Sequence, residues 1–167
     1  MNQATKKLRA RAAVFAVLAV LWMGVIFAYS AKTADESSAQ SLRAGLLFGR
    51  IVHSDFADWP EAEQAAFAEK WDHPIRKTAH ATEFAILGIL WTGTIASYTA
   101  KHKASALKAM AISIAYAASD EFHQLFVPGR AGMVKDVFID SCGVVLGCLV
   151  FGFVLWKVDG YFKYKAN

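Results

Sequence analysis

The sequence predicts an all-α integral membrane protein, a four-helix bundle with a partly helical extracytoplasmic loop between helices 1 and 2. Three observations carry this. With 56% hydrophobic residues and a mean hydropathy of +0.31, the 167-residue chain is too apolar for a soluble domain of its size. Its apolar residues come in uncharged blocks, Ala12 to Ala31, Phe84 to Ala100 and Ser141 to Trp156. Its basic residues collect beside alternate ends of those blocks.

A bilayer core of ~30 Å needs about 20 helical residues. The expected spans are therefore residues 12–31, 78–100, 104–124 and 137–156, within one membrane domain covering 1–167. The third span needs Lys108 to snorkel at one end and a polar group, Asp120 to Gln124, at the other. The fourth carries Asp140 one turn in. All four must be helices, because lipid offers backbone amides no partner. A cleaved signal peptide is the alternative for the first block, but the run is long for one and no small-x-small cleavage site follows.

The net charge of +4 does not point to nucleic acid. Lys6, Lys7, Arg9 and Arg11 precede span one, Lys101, Lys103 and Lys108 flank the second connection, and Lys157, Lys163 and Lys165 follow span four. The positive-inside rule puts all three groups, and both termini, in the cytoplasm. Loop 32–77 then lies outside, with eight acidic and six basic residues. Arg130 and Lys135 in the short third loop are a mild exception.

Within loop 32–77, Asp35 or Ser37 is the expected cap of a helix from about Ser38 to Val52. Pro60 opens a second helix running to about Trp71. Trp59, Phe67 and Trp71 suit a headgroup layer. The loop lies on the membrane surface, packs as a lid over the bundle, or does both; the sequence does not separate these. Cys142 and Cys148, six residues apart on one helix, point to different faces and cannot pair.

This topology gathers the unusual polar residues on one side. Lys77, His80 and Glu83 form an i, i+3, i+6 stripe at the outer end of span two. Asp120, His123 and Gln124 share a face where span three ends. Asp136 and Asp140 continue into Gly143 and Gly147 on span four, small residues that let a neighbouring helix approach. A charge in the membrane costs roughly 2.5–3.5 kcal/mol on insertion scales, so each needs a partner. Such a mixture suits divalent-metal binding, metal-free phosphoryl chemistry with Arg130 and Lys77 as clamps, or proton relay. It also suits a structural network, with His80 bonded to a carboxylate and Arg130 to Asp136. No HExxH-type zinc spacing occurs. Glu121, on another face from Asp120, is expected to pair with Lys135.

Two segments carry a resemblance. Lys77-Thr-Ala-His80-Ala-Thr-Glu83-Phe84 has a Lys-x-x-His-x-x-Glu-aromatic pattern, and Asp120-Glu-Phe-His-Gln is followed by Pro128-Gly-Arg130 and then Asp136-x-x-x-Asp140-x-x-Gly143. In order and spacing these resemble the VanZ-like family of bacterial membrane proteins. That family is similar in pattern to membrane enzymes that process phospholipid headgroups, and its named member is associated with glycopeptide resistance, a trait that does not transfer with the resemblance. The resemblance implies that His80, Glu83, Asp120, Glu121, His123, Gln124, Arg130, Asp136 and Asp140 carry the chemistry. It also implies a multi-pass protein of the bacterial cytoplasmic membrane. The family's serine-rich turn after span one is replaced by Tyr29-Ser30-Ala31-Lys32, so no role passes to Ser30.

The expected activity is processing of a lipid headgroup or lipid-linked phosphate at the outer leaflet, by a hydrolase or headgroup transferase. His80, Glu83, Asp120, His123 and Arg130 are the catalytic candidates, and Lys77, Gln124 and Arg130 the substrate-binding ones. His80, Glu83, Asp120, His123, Asp136 and Asp140 are candidate ligands for a divalent metal, the cofactor being otherwise open. The expected partner is a membrane lipid or lipid-linked envelope precursor. The rival is a non-enzymatic protein that binds or shields such lipids and alters antibiotic susceptibility. An ion transporter is disfavoured, because ionisable residues do not continue to the cytoplasmic side. Oligomeric state is not legible.

Overall fold

A computed structural model describes residues 2–99 and 102–165. Among these the chain is all helical: α1 Gln3–Ser30, α2 Ala34–Val52, a 3₁₀ turn Phe56–Asp58, α3 Glu61–Thr99, α4 His102–Gln124 and α5 Val134–Lys165. Ala100 and Lys101, at the expected cytoplasmic connection, lie outside the described residues, as do the side chains of Lys163 and Lys165.

α1 and α5 hold the two stretches long and apolar enough to cross a membrane, Thr5–Ser30 and Val134–Tyr161. Both are apolar on their exposed faces as well, through Val14, Val17 and Leu21 on α1 and Leu146, Leu149 and Phe153 on α5. A helix apolar all round and still exposed has a hydrophobic surrounding to face. The expected spans 78–100 and 104–124 are helical throughout their described residues but more polar, and neither passes the same test.

α3 packs against each of the other four helices. Its C-terminal half offers small buried residues, Gly88, Thr92, Gly93, Ala96 and Ser97, so that neighbours come close. α5 answers with Gly143 and Gly147: a Cβ on either would run into the backbone of Ala81 or Ala85. Ile26, Phe84, Leu87, Ala109, Ala117 and Val144 fill the space between α1, α3, α4 and α5. Trp22 Nε1 donates to the Glu83 carbonyl at 2.8 Å and the Tyr116 hydroxyl to the Met23 carbonyl at 2.7 Å, fixing α1 on α3 and α4.

Residues 32–77 depart from expectation in three ways. Thr33, not Asp35 or Ser37, caps α2, in a capping box with Glu36 that starts the helix four residues early. Next, no break follows Trp71: α3 runs unbroken through Pro74 for 39 residues. A proline inside a helix removes one amide donor and crowds the preceding turn. Here Arg76 pairs with Asp72 at 3.0 Å and Ser41 of α2 donates to the same Asp72, so α2 braces the helix on both sides of the proline. Finally, Trp59, Phe67 and Trp71 turn to one another and to Phe48, His53 and Phe56, with ring centroids 4.9–6.2 Å apart. Edge and tilted aromatic contacts give the α2–α3 hairpin its own small core. The aromatics of α2, the 3₁₀ turn and α3 therefore pack on one another.

Candidate functional site

The polar residues gather where α1 ends and α5 begins. Ser30, the last residue of α1, is fully buried and donates to Asp120 Oδ2 at 2.6 Å. Gln124 Nε2 donates to the same carboxylate at 3.1 Å and to Glu121 Oε1 at 3.3 Å. Glu121 also accepts the Met133 amide at 3.0 Å. It is buried and faces inward, so the expected pairing with Lys135 is not made. That inward turn lets Glu121 take the backbone amide of Met133, just before the start of α5.

The turn from α4 to α5 is held from the other side by the α1–α2 connection. The Ala34 amide donates to the Pro128 carbonyl at 3.2 Å, and Arg130 Nε donates to the Lys32 carbonyl at 3.1 Å. Gly129 sits at φ +73°, a conformation that costs other residues, and it delivers Arg130 into the site. Arg130 does not pair with Asp136, as the sequence allowed. Asp136 instead takes Lys77 of α3 as its partner, joining α5 to α3 at this level.

Two cavities meet at this end. One, of ≈ 140 Å³, lies between α3, α4, α5 and the α4–α5 turn, with Arg76, Lys77, His80, Glu121, Arg130 and Asp140 in its wall. The other, of ≈ 180 Å³, lies between α2 and α3, with Tyr29, Ser37, Gln40, Arg76, His80, Glu83 and Arg130 around it. Arg76, His80 and Arg130 line both. They form the partition.

Most of the sequence-derived candidates do converge. Lys77, His80, Gln124, Arg130, Asp136 and Asp140 line the first cavity and Glu83 the second. Asp120 lies behind the wall, bonded to Ser30 and Gln124. His123 lines neither cavity; its ring stacks on Phe27 of α1, centroids 4.5 Å apart, with Nε2 buried and unpartnered. His80 Nδ1 is 3.8 Å from Glu83 Oε2, beyond hydrogen-bond reach, and is also unpartnered. Asp140, 2% exposed, and Asp136 each keep one oxygen without a partner.

Among the described residues, no three His, Cys, Asp or Glu side chains group closely enough to hold a metal ion. The candidate ligands are divided instead among Lys77, Ser30, Gln124 and Phe27. Cations, by contrast, are assembled. No carboxylate lies within salt-bridge reach of Arg130 among the described residues. Burial and then the neighbouring Arg76 charge both push the Arg130 pKa below its usual value. Arg76 already has the Asp72 carboxylate at 3.0 Å, whereas Arg130 bonds the Lys32 carbonyl.

A family profile described as VanZ/LLP1 matches residues 15–156. The chain belongs to the VanZ/LLP1 family. The match runs from α1 to α5 and takes in every side chain of the two cavities. No curated protein and no solved structure matches the chain.

Arg76 is the VanZ/LLP1 site residue that sequence reasoning missed. The sequence reading leaves it in loop 32–77, beyond a helix expected to end at about Trp71. On an unbroken helix, Asp72, Arg76, His80 and Glu83 fall at i, i+4, i+8 and i+11, one continuing stripe. The spacing is in the sequence, but the stripe crosses the end expected at Trp71. Ser30 had no role on the sequence and proves to be the buried donor to Asp120.

Proposed function

We propose that this VanZ/LLP1 protein is a four-span membrane enzyme of the bacterial cytoplasmic membrane that processes a phosphate-bearing lipid headgroup at the outer leaflet. One observation carries the reading: Arg76, Lys77 and Arg130 surround His80 in a cavity beside the shared end of the two most apolar helices. Guanidinium forks recognise phosphate oxygens bidentately, and a lysine adds a point charge. The basic residues Lys6, Lys7, Arg9 and Arg11 sit at the opposite end of α1, which supports an extracytoplasmic cavity and cytoplasmic termini.

The roles follow from surroundings. Arg130 and Arg76 hold the phosphate, and Lys77, already neutralised by Asp136, fixes the wall. The His80 ring lines both cavities and is placed to take or give a proton, with Glu83 Oε2 3.8 Å from its Nδ1. Asp120, Gln124 and Glu121 hold the α4 end in register. His123 supports α1 rather than touching the ligand.

The test uses the full-length protein in nanodiscs with a panel of phospholipids and lipid-linked phosphates, read by mass spectrometry for released headgroup and by elemental analysis for bound metal. Turnover of one lipid by the wild type is expected. His80→Gln should lower it by about 10²-fold or more, the usual scale of a lost acid–base group, with the melting temperature unchanged. Lipid binding without consumption, equal in both proteins, would replace this account with the shielding one.

A further inference from the structure

Two cavities share one cationic wall, and their remaining surfaces differ in kind. The first adds Lys77, Asp136 and Asp140, charged groups. The second adds the Glu83 carboxylate, Ser37, Gln40 and Ser41 from α2 and the Tyr29 ring, acceptors and donors for hydroxyl groups, beside apolar Ala44, Ile75 and Ala79. Hydroxyls and an amide next to an aromatic face suit an uncharged polyhydroxy group such as glycerol or a sugar. At ≈ 140 and ≈ 180 Å³, each cavity is below the ~300 Å³ at which sites for drug-sized ligands usually begin, and each fits a headgroup fragment.

We propose that the second cavity binds a polyhydroxy acceptor, and that the enzyme transfers the phosphate-bearing group to it instead of to water. This rests on the phosphate-lipid reading of the first cavity. His80 stands in the partition and therefore faces both ligands. An acceptor hydroxyl oxygen attacks phosphorus, and its proton passes to the imidazole of His80, which lines both cavities. The bond from phosphorus to the original headgroup oxygen breaks, and that oxygen takes a proton from His80. One phosphodiester and one alcohol are consumed and one of each is formed, with no oxidant, reductant or cofactor needed. Arg76 is held for both ligands by Asp72, which Ser41 of α2 also grips, so α2 positions the shared wall as well as lining the acceptor side.

The experiment supplies deuterated glycerol to full-length protein in nanodiscs carrying the lipid panel, and mass spectrometry follows both the lost headgroup and the deuterated phosphodiester. The wild type should form the deuterated lipid, at a rate rising with glycerol. Gln40→Leu, an exposed α2 position lining only the second cavity, should lower incorporation about tenfold through the KM for glycerol, with the KM for lipid unchanged. If a lipid is consumed at the same rate with or without glycerol and yields only the lipid phosphate, the acceptor site is refuted while the phosphate-lipid function stands. If no lipid is consumed under either condition, both fall. Equal incorporation by Gln40→Leu and wild type would move the acceptor out of the second cavity and overturn the proposal.

Discussion

Gly143→Leu is expected to leave almost no folded protein. A Cβ at Gly143 would occupy the same space as the Ala81 carbonyl, and its nearest neighbours are backbone atoms that no rotamer change can move aside. α5 must therefore back away from α3. Overpacking alone costs typically about 1–3 kcal/mol. Separation also pulls Lys77 from Asp136, and losing one partner of a buried ion pair costs about 3–5 kcal/mol, because the other charge stays buried. Together these approach the whole stability of an ordinary domain, about 5–15 kcal/mol. The amount of monodisperse protein after detergent extraction should fall at least tenfold. Val145→Leu, partly exposed on the same helix, is the control and should extract like the wild type. If Gly143→Leu extracts and melts as the wild type does, the α3–α5 contact is wrongly placed.

Arg130→Ala carries the largest expected effect on activity. The side chain bonds the Lys32 carbonyl through Nε and has no carboxylate partner, so its terminal nitrogens remain for a ligand. Removing one donor aimed at developing charge usually costs about 10²–10³ in rate. kcat/KM for the lipid should fall by that factor. The structural loss is one hydrogen bond, about 1 kcal/mol, which leaves the protein folded. Arg130→Lys restores the charge but not the planar fork, so it should recover only a minor part. A full recovery by lysine would mean that charge alone is used there, and that no bidentate contact is made.

The helical class and the polar convergence were legible because both follow from composition and period. Long uncharged blocks can only be helices in lipid, and the stripes Lys77–His80–Glu83 and Asp136–Asp140–Gly143 keep their facing once the helix is assumed. Gly143 and Gly147 called for a close helix neighbour without naming it, and that neighbour is α3. What the sequence concealed were long-range partners. Asp136 had two cations within plausible reach, and only packing selects Lys77 over Arg130. His123 shares a helix face with Asp120 and Gln124, but α1 lies against its ring, and α1 carries no charge there to announce itself. The role of the aromatics in residues 59–71 stayed open because their partners Phe48 and His53 lie on the preceding segment, out of sight of local spacing. Arg76 fell outside both expected helices, and only the unbroken α3, tied by the Ser41–Asp72–Arg76 contacts, puts it in line with His80.

The most direct measurement is the accessibility of the first cavity in intact cells. Ala131 lines it beside Arg130, and Cys142 is the exposed thiol to be removed first. Ala131→Cys in a Cys142→Ser background is treated with a membrane-impermeant maleimide added outside. Rapid labelling is predicted, slowed several-fold when the turned-over lipid is supplied in excess. Labelling that appears only after the membrane is opened would place the arginines and His80 on the cytoplasmic side, and an outer-leaflet substrate could not reach them.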